Sequence, residues 1–151
     1  MNRFEVLLRC LGESIGVTLQ PDERGLCELP VQGQRLVLYY QAEASLLLCF
    51  GVVKTSQTPF PSSLLTHALT LNLFGNGTHG FSLGLFHNTL LLSGVLPLEV
   101  LSVEQLVEQL YLLAVQIAEV RRELECAPEA SIPSSSSGRE EVPDLARLLR
   151  I

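Results

Sequence analysis

The sequence predicts an α+β domain: an antiparallel sheet of five to six strands carrying three helices, in the order α-β-β-β-α-β-β-α. Two segments, one at the start and one running from about residue 103 to 124, repeat apolar residues at helical spacing. Five shorter apolar runs lie between them. The turns within each group of runs are too short for a crossover, so neighbouring strands pair antiparallel. A third helical segment, opened by a proline, divides the runs into three and two. Helices packed on an antiparallel sheet bury such faces.

In the first segment Phe4, Leu7, Leu8, Leu11 and Ile15 form a stripe, with Arg3, Glu5, Arg9 and Glu13 elsewhere on the turn. Gly16 is a stop signal, and Gln20-Pro21-Asp22-Glu23 reads as loop. Leu26–Val31 is a strand whose Pro30 lacks a ladder donor, which marks an edge or a strand end. Gln32-Gly33-Gln34 turns into Arg35–Gln41, and Gln41–Ser45 turns into Leu46–Val53. These two strands are apolar on both parities, so both their faces are expected to be covered at least in part.

Pro61 suits the first turn of a helix through Leu64, Leu65, Ala68, Leu69, Leu71, Leu73 and Phe74. These residues spread round most of the circumference, so the helix needs cover on more than one side. The sheet supplies one cover and a second subunit is the simplest other, which predicts a homodimer. A glycine-rich turn, Gly75–Gly80, leads to strands Phe81–Phe86 and Thr89–Leu96, joined by His87-Asn88. Ser102 and Gln105 form a weak capping-box signal for a final helix of about six to seven turns. Its apolar face includes Leu106, Leu110, Leu113, Ile117, Val120 and Leu124.

Three divisions follow: a domain over residues 1–126, a Ser/Pro-rich flexible linker over 127–138, and a short amphipathic tail over 139–151. The tail carries Val142, Leu145, Leu148 and Leu149 and is too short for a stable isolated helix. Two readings stay open for it: a disordered tail, or a segment that docks in an apolar groove.

The composition is 47% hydrophobic and 17% charged, with a mean hydropathy of +0.32. Such a chain is expected to cover part of its surface with a partner. The formal net charge is −6, and Lys54 is the only lysine. That balance argues against nucleic acid and against an anionic membrane surface. No apolar run reaches the roughly 18 residues that a membrane helix needs, and the amphipathic start lacks the apolar stretch of a signal peptide. Cys10, Cys27, Cys49 and Cys126 have no zinc spacing and read as buried thiols in a reducing compartment. The expected location is the cytoplasm.

No chemistry stands out. Gly75-Asn76-Gly77-Thr78-His79-Gly80 matches a dinucleotide fingerprint by letter, but a helix precedes it and a strand follows, the reverse of what a phosphate loop needs. A helix C-cap and turn explain its glycines. Asn76-Gly77-Thr78 is a glycosylation sequon that would be idle in the cytoplasm. His67, His79 and His87 have no helix-borne metal spacing, and Ser62 and Ser63 lack a nucleophile elbow. The chain is expected not to be an enzyme and to need no cofactor or metal. A small-molecule enzyme built round the three histidines is the least favoured reading.

Ala68-Leu69-Thr70-Leu71-Asn72-Leu73-Phe74, the glycine turn, Phe81-Ser82-Leu83-Gly84-Leu85, Leu90-Leu91-Leu92 and Leu96-Pro97-Leu98 follow one another before the long helix. Over about residues 1–126 this pattern resembles the class I type III secretion chaperones, the Tir-chaperone (CesT-like) family. The resemblance implies a small, acidic, bacterial cytoplasmic homodimer without ATPase activity. It implies a dimer interface on Leu64, Leu65, Ala68, Leu69, Leu71 and Leu73, together with the strand after the glycine turn. The implied function is to hold the N-terminal segment of one or more effectors in extended, secretion-competent form and direct it to the export apparatus. The secretion ATPase is a further candidate partner. Effector contacts are expected at Phe4, Leu7 and Leu11 on the first helix and at Leu36, Leu38 and Leu47 on the sheet, partly by strand addition. The alternative is a regulatory chaperone of the same fold that sequesters a control factor of the secretion system. The serine-rich linker and tail depart from the family pattern.

Overall fold

The computed structural model describes residues 2–126; segments 127–138 and 139–151 lie outside the described residues. Helix α1 spans Arg3–Ile15. Its start is fixed by a capping box absent from the sequence expectations. Asn2 Oδ1 accepts from the Glu5 amide at 2.9 Å, and the Glu5 carboxylate accepts from the Asn2 amide at 3.2 Å. Gly16 closes the helix in the left-handed region. Strands β1 (Leu26–Val31), β2 (Gln34–Gln41) and β3 (Leu46–Thr55) form an antiparallel meander. Helix α2 spans Ser62–Asn72, followed by β4 (Ser82–Phe86), β5 (Thr89–Pro97) and helix α3 (Val103–Cys126).

The five strands make one sheet in the order β1-β2-β3-β5-β4, so the expected α+β architecture is present with five strands. The β3–β5 pairing joins the two halves of the chain, with Leu47 opposite Leu96 and Gly51 opposite Leu92. Two-residue turns, Gln32-Gly33 and His87-Asn88, close the β1–β2 and β4–β5 hairpins. The expected capping box of α3 is also present: Ser102 Oγ accepts from the Gln105 amide at 3.2 Å, and Gln105 Oε1 accepts from the Ser102 amide at 3.0 Å.

The core is one-sided. Cys27, Leu29, Leu36, Leu38, Leu47, Cys49, Leu90 and Leu92 share one face of the sheet and are buried beneath Phe4, Leu7, Leu8 and Leu11 of α1 and Leu106, Leu110, Leu113 and Ile117 of α3. Gly51 shows how close the layers lie. A Cβ there would stand 2.5 Å from Ile117 Cδ1 and 2.9 Å from Leu36 Cδ2, so a side chain at this position would push both side-chain ends aside. Arg121 fastens the same contact where β3 bulges between Val52 and Lys54. Its guanidinium donates to the carbonyls of Val53 at 2.8 Å and Val52 at 3.0 Å.

Two expectations change. Among the described residues, cover on both faces of β2 and β3 is not found: Val37, Tyr39, Leu46, Leu48, Phe50 and Val52 are all partly or fully exposed, and none joins the core. The helix expected through Phe74 ends at Asn72. A single 3-10 turn follows, and Phe74 adopts φ +56° there. The glycine turn then folds on itself. Gly80 donates to the Gly75 carbonyl at 3.1 Å, and a Cβ on Gly75 would meet the Gly80 Cα at 3.0 Å.

Leu38→Ala, at the centre of the covered face, is expected to lower the unfolding free energy by about 2–5 kcal/mol in urea denaturation. A change below about 1 kcal/mol would mean that the site is not in a packed core.

Candidate binding surfaces

The uncovered sheet face follows from strand parity. Side chains alternate across a strand, so register places Glu28 of β1, Val37 and Tyr39 of β2, Leu48 and Phe50 of β3, and Leu91 and Val95 of β5 on one surface. None of these residues is buried, and every helix contributes its buried residues to the opposite face. The face is mostly aliphatic and aromatic at its centre, where Ser93 stands opposite Phe50, with Glu28 and Arg35 towards its rim. Arg35 Nε and Glu28 Oε2 are 3.6 Å apart, both well exposed, so this ion pair contributes little.

A second apolar surface lies where α2 meets β4. Leu65, Ala68, Leu69, Leu83, Leu85 and Leu90 line a groove of about 200 Å³ there. Beside it Leu69 is 70% exposed, Leu73 58% and Phe74 89%. Helix α2 buries only Ala68. Leu64, Leu65 and Leu71 pack partly against the core, and Leu69 lacks the cover that the helix's apolar distribution demands. A third groove, of about 270 Å³, runs between the end of α1, β1 and the start of α3, lined by Ile15, Leu29, Val31, Val107 and Tyr111 among others.

The two sheet edges are not equivalent. In an antiparallel ladder alternate residues turn both main-chain groups to the same side. On β1 the outward residues are Leu26, Glu28 and Pro30. Leu26 is already paired: its amide donates to Asp22 Oδ1 and its carbonyl accepts from the Asp22 amide, both at 2.8 Å. Glu28 presents both groups outward, and Pro30 presents a carbonyl. On β4 Leu83 is paired with a side chain, since its amide donates to Asn72 Oδ1 at 2.9 Å and its carbonyl accepts from Asn72 Nδ2 at 3.4 Å.

The residues expected from the sequence to meet a client are placed elsewhere. Phe4, Leu7, Leu11, Leu36, Leu38 and Leu47 are all buried in the protomer core, with Leu36, Leu38 and Leu47 at zero exposure. Their stripe and parity face the α1–sheet–α3 layer, so they cannot touch a client without opening that layer. The surfaces that remain open are their neighbours: Val37 and Tyr39 beside Leu36 and Leu38, Leu48 beside Leu47, and Ile15 one turn beyond Leu11. Of the residues expected at a dimer interface, Leu69 and Leu73 are exposed, Leu64, Leu65 and Leu71 are half-buried, and Ala68 is buried. All six lie on α2 or the turn directly after it.

No reactive constellation appears among the described residues. Burial pushes the Cys49 thiol up to about 11 and raises that of Cys27, so both stay protonated at neutral pH and are poor nucleophiles. No three His, Cys, Asp or Glu side chains gather as a metal site requires. His79 Nδ1 lies 2.9 Å from Gln116 Oε1, and Gln116 Nε2 donates to Glu119 at 3.1 Å, a contact between the glycine turn and α3. No described helix is long and apolar enough to cross a membrane.

Comparison with solved structures finds the same fold in secretion chaperones. The HopA1–SchA chaperone–effector complex contains a chain 23% identical, with 80% of this chain and 94% of that chain covered and a TM-score of 0.64. The Yersinia pestis type III secretion chaperone SycH, in complex with a fragment of YscM2, is 20% identical over 78% of this chain and 98% of that one, at 0.61. A chain of the ExsC–ExsE complex is 20% identical over 82% and 95%, at 0.70. Comparison with curated proteins by sequence finds no match. A family model, that of the Tir chaperone protein (CesT) family, matches residues 6–121. On that match across most of its length, the chain belongs to the Tir chaperone (CesT) family.

Proposed function

We propose that this protein is a type III secretion chaperone: two copies pair through α2 and β4, and the pair holds the N-terminal segment of a secreted effector extended against the bare sheet face and the β1 edge. The observation that carries the reading is the bare face itself. Val37, Tyr39, Leu48, Phe50 and Leu91 form a contiguous apolar surface that no described residue of the protomer covers. A lone globule seldom leaves such a surface in water. A strand laid beside β1 would extend it, sending alternate side chains over the bare face and into the groove of Ile15, Val107 and Tyr111.

Magnitudes decide which contact holds the client. The outward groups of Glu28 and Pro30 offer three main-chain hydrogen bonds, and at about 1 kcal/mol net each they supply only ~3 kcal/mol. Micromolar affinity needs about 8 kcal/mol. Apolar burial must supply most of it, at roughly 25 cal/mol per Å². The edge sets register and the greasy face sets affinity. Such a role is binding without chemistry, in the bacterial cytoplasm, where buried protonated thiols are stable. Delivery to the export apparatus and its ATPase belongs to the same reading. The alternative, sequestration of a control factor, would use the same surfaces, and no described residue favours it.

Two substitutions test the proposal. Leu69→Glu, on a side chain exposed in the protomer, is expected to leave the circular dichroism unchanged while sedimentation shows the mass falling from dimer to monomer. A dimer of undiminished affinity would remove α2 from the interface. Phe50→Glu is expected to reduce co-purified effector at least about tenfold, because it places a charge under the client. Equal retention by variant and wild type would show that the sheet face is not the contact.

A further inference from the structure

We infer that Asn72 and Thr78 close the β4 edge of the sheet by standing in for a neighbouring strand, so that this edge does not take up an extended peptide. The assignment of the client to β1 rests on the proposed function; the closure of β4 does not. Residue alternation identifies the outward rungs of β4. The two-residue turn His87-Asn88 makes Phe86 and Thr89 the hydrogen-bonded pair that ends the hairpin, so Gly84 also bonds to β5. Leu83 and Leu85 turn outward, and so does Phe81 just before the strand.

Two of these three rungs are already filled. Phe81 donates to the Thr78 carbonyl at 3.2 Å, and its own carbonyl accepts from Thr78 Oγ1. Thr78 is fully buried, so this cap is part of the core and not a surface accident. Leu83 gives and receives one bond each with the Asn72 carboxamide, as it would with a strand. An amide side chain is the one that can do this, because it carries an acceptor and donors on the same planar group. Leu85 alone is left, and one open rung does not hold a strand. By the same two bonds Asn72, the last residue of α2, sets the helix across the edge, which builds the groove lined by Leu65, Leu69 and Leu85. Asn72 is therefore a positioning residue. It protects the β4 edge from pairing with other chains and leaves β1, with Glu28 and Pro30, as the edge that accepts an addition.

Amide exchange by NMR on the full-length chain tests this without any client. In Asn72→Ala the Leu83 amide is expected to exchange about tenfold faster than in wild type, the loss of one net hydrogen bond to a rigid partner. The Leu92 amide, inside the sheet, serves as the control for folding and should be unchanged. Asn72→Asp keeps the acceptor and loses the donor, so Leu83 should stay within about twofold of wild type. Sedimentation velocity of Asn72→Ala should also show concentration-dependent species larger than the wild-type assembly. Unchanged Leu83 exchange in Asn72→Ala, or equal loss in Ala and Asp variants, would overturn the closure. Failure of effector binding in other experiments would leave these results standing.

Discussion

The seating of α3 on the glycine-bearing face of the sheet is the contact on which the rest depends. Ile117 and Leu36 pack directly over Gly51, and Arg121 pins the helix to the two carbonyls exposed by the β3 bulge. With α3 fixed there, α1 fills the remaining half of the same face, through Phe4, Leu7, Leu8 and Leu11. No described helix is left for the opposite face. A chain with 47% hydrophobic residues has thus been given a core on one side and an apolar sheet on the other. The uncovered face is a consequence of topology, and binding is what such a face can do.

Much of this was legible in the sequence. The α1 stripe, the three-plus-two strands, the antiparallel pairing and the long final helix follow from periodicity and turn length, and their bounds agree with the structure to within a few residues. The family pattern at Ala68–Leu85 led to the right family. What periodicity did not resolve was parity. Leu36, Leu38 and Leu47 look no more buried in a sequence than Val37, Tyr39 and Leu48, because both parities of β2 and β3 are apolar. A usable signal was present in the glycines. Gly51 and Gly94 stand within strands, where glycine marks a close approach by another group, and both fall on the parity of Leu47 and Cys49. Those two residues mark the covered side and so place Leu36, Leu38 and Leu47 in the core.

The polar groups show a division of labour that hydrophobic patterning cannot display. Asp22 caps Leu26 on one edge, while Asn72 and Thr78 cap Leu83 and Phe81 on the other. Few groups are thereby left for strand addition: three at Glu28 and Pro30 on β1, and the single rung of Leu85 on β4. Pro30 was a reason to place β1 at an edge. Asn72 lies between Leu71 and Leu73, where the apolar spacing carries the pattern and the amide carries no local signal. Long-range hydrogen bonds of this kind depend on two segments meeting in space, so no local pattern announces them.

The central claim is that the bare sheet face receives an extended secreted protein. Photo-crosslinking from position 50, in bacteria that carry the secretion system, addresses it most directly, because that side chain lies in the middle of the face and outside the core. The account predicts adducts that map to the amino-terminal segment of a secreted protein, and none from position 38 on the buried parity of β2. Adducts from position 50 confined to further copies of this chain, or no adduct while an effector still co-purifies, would contradict it.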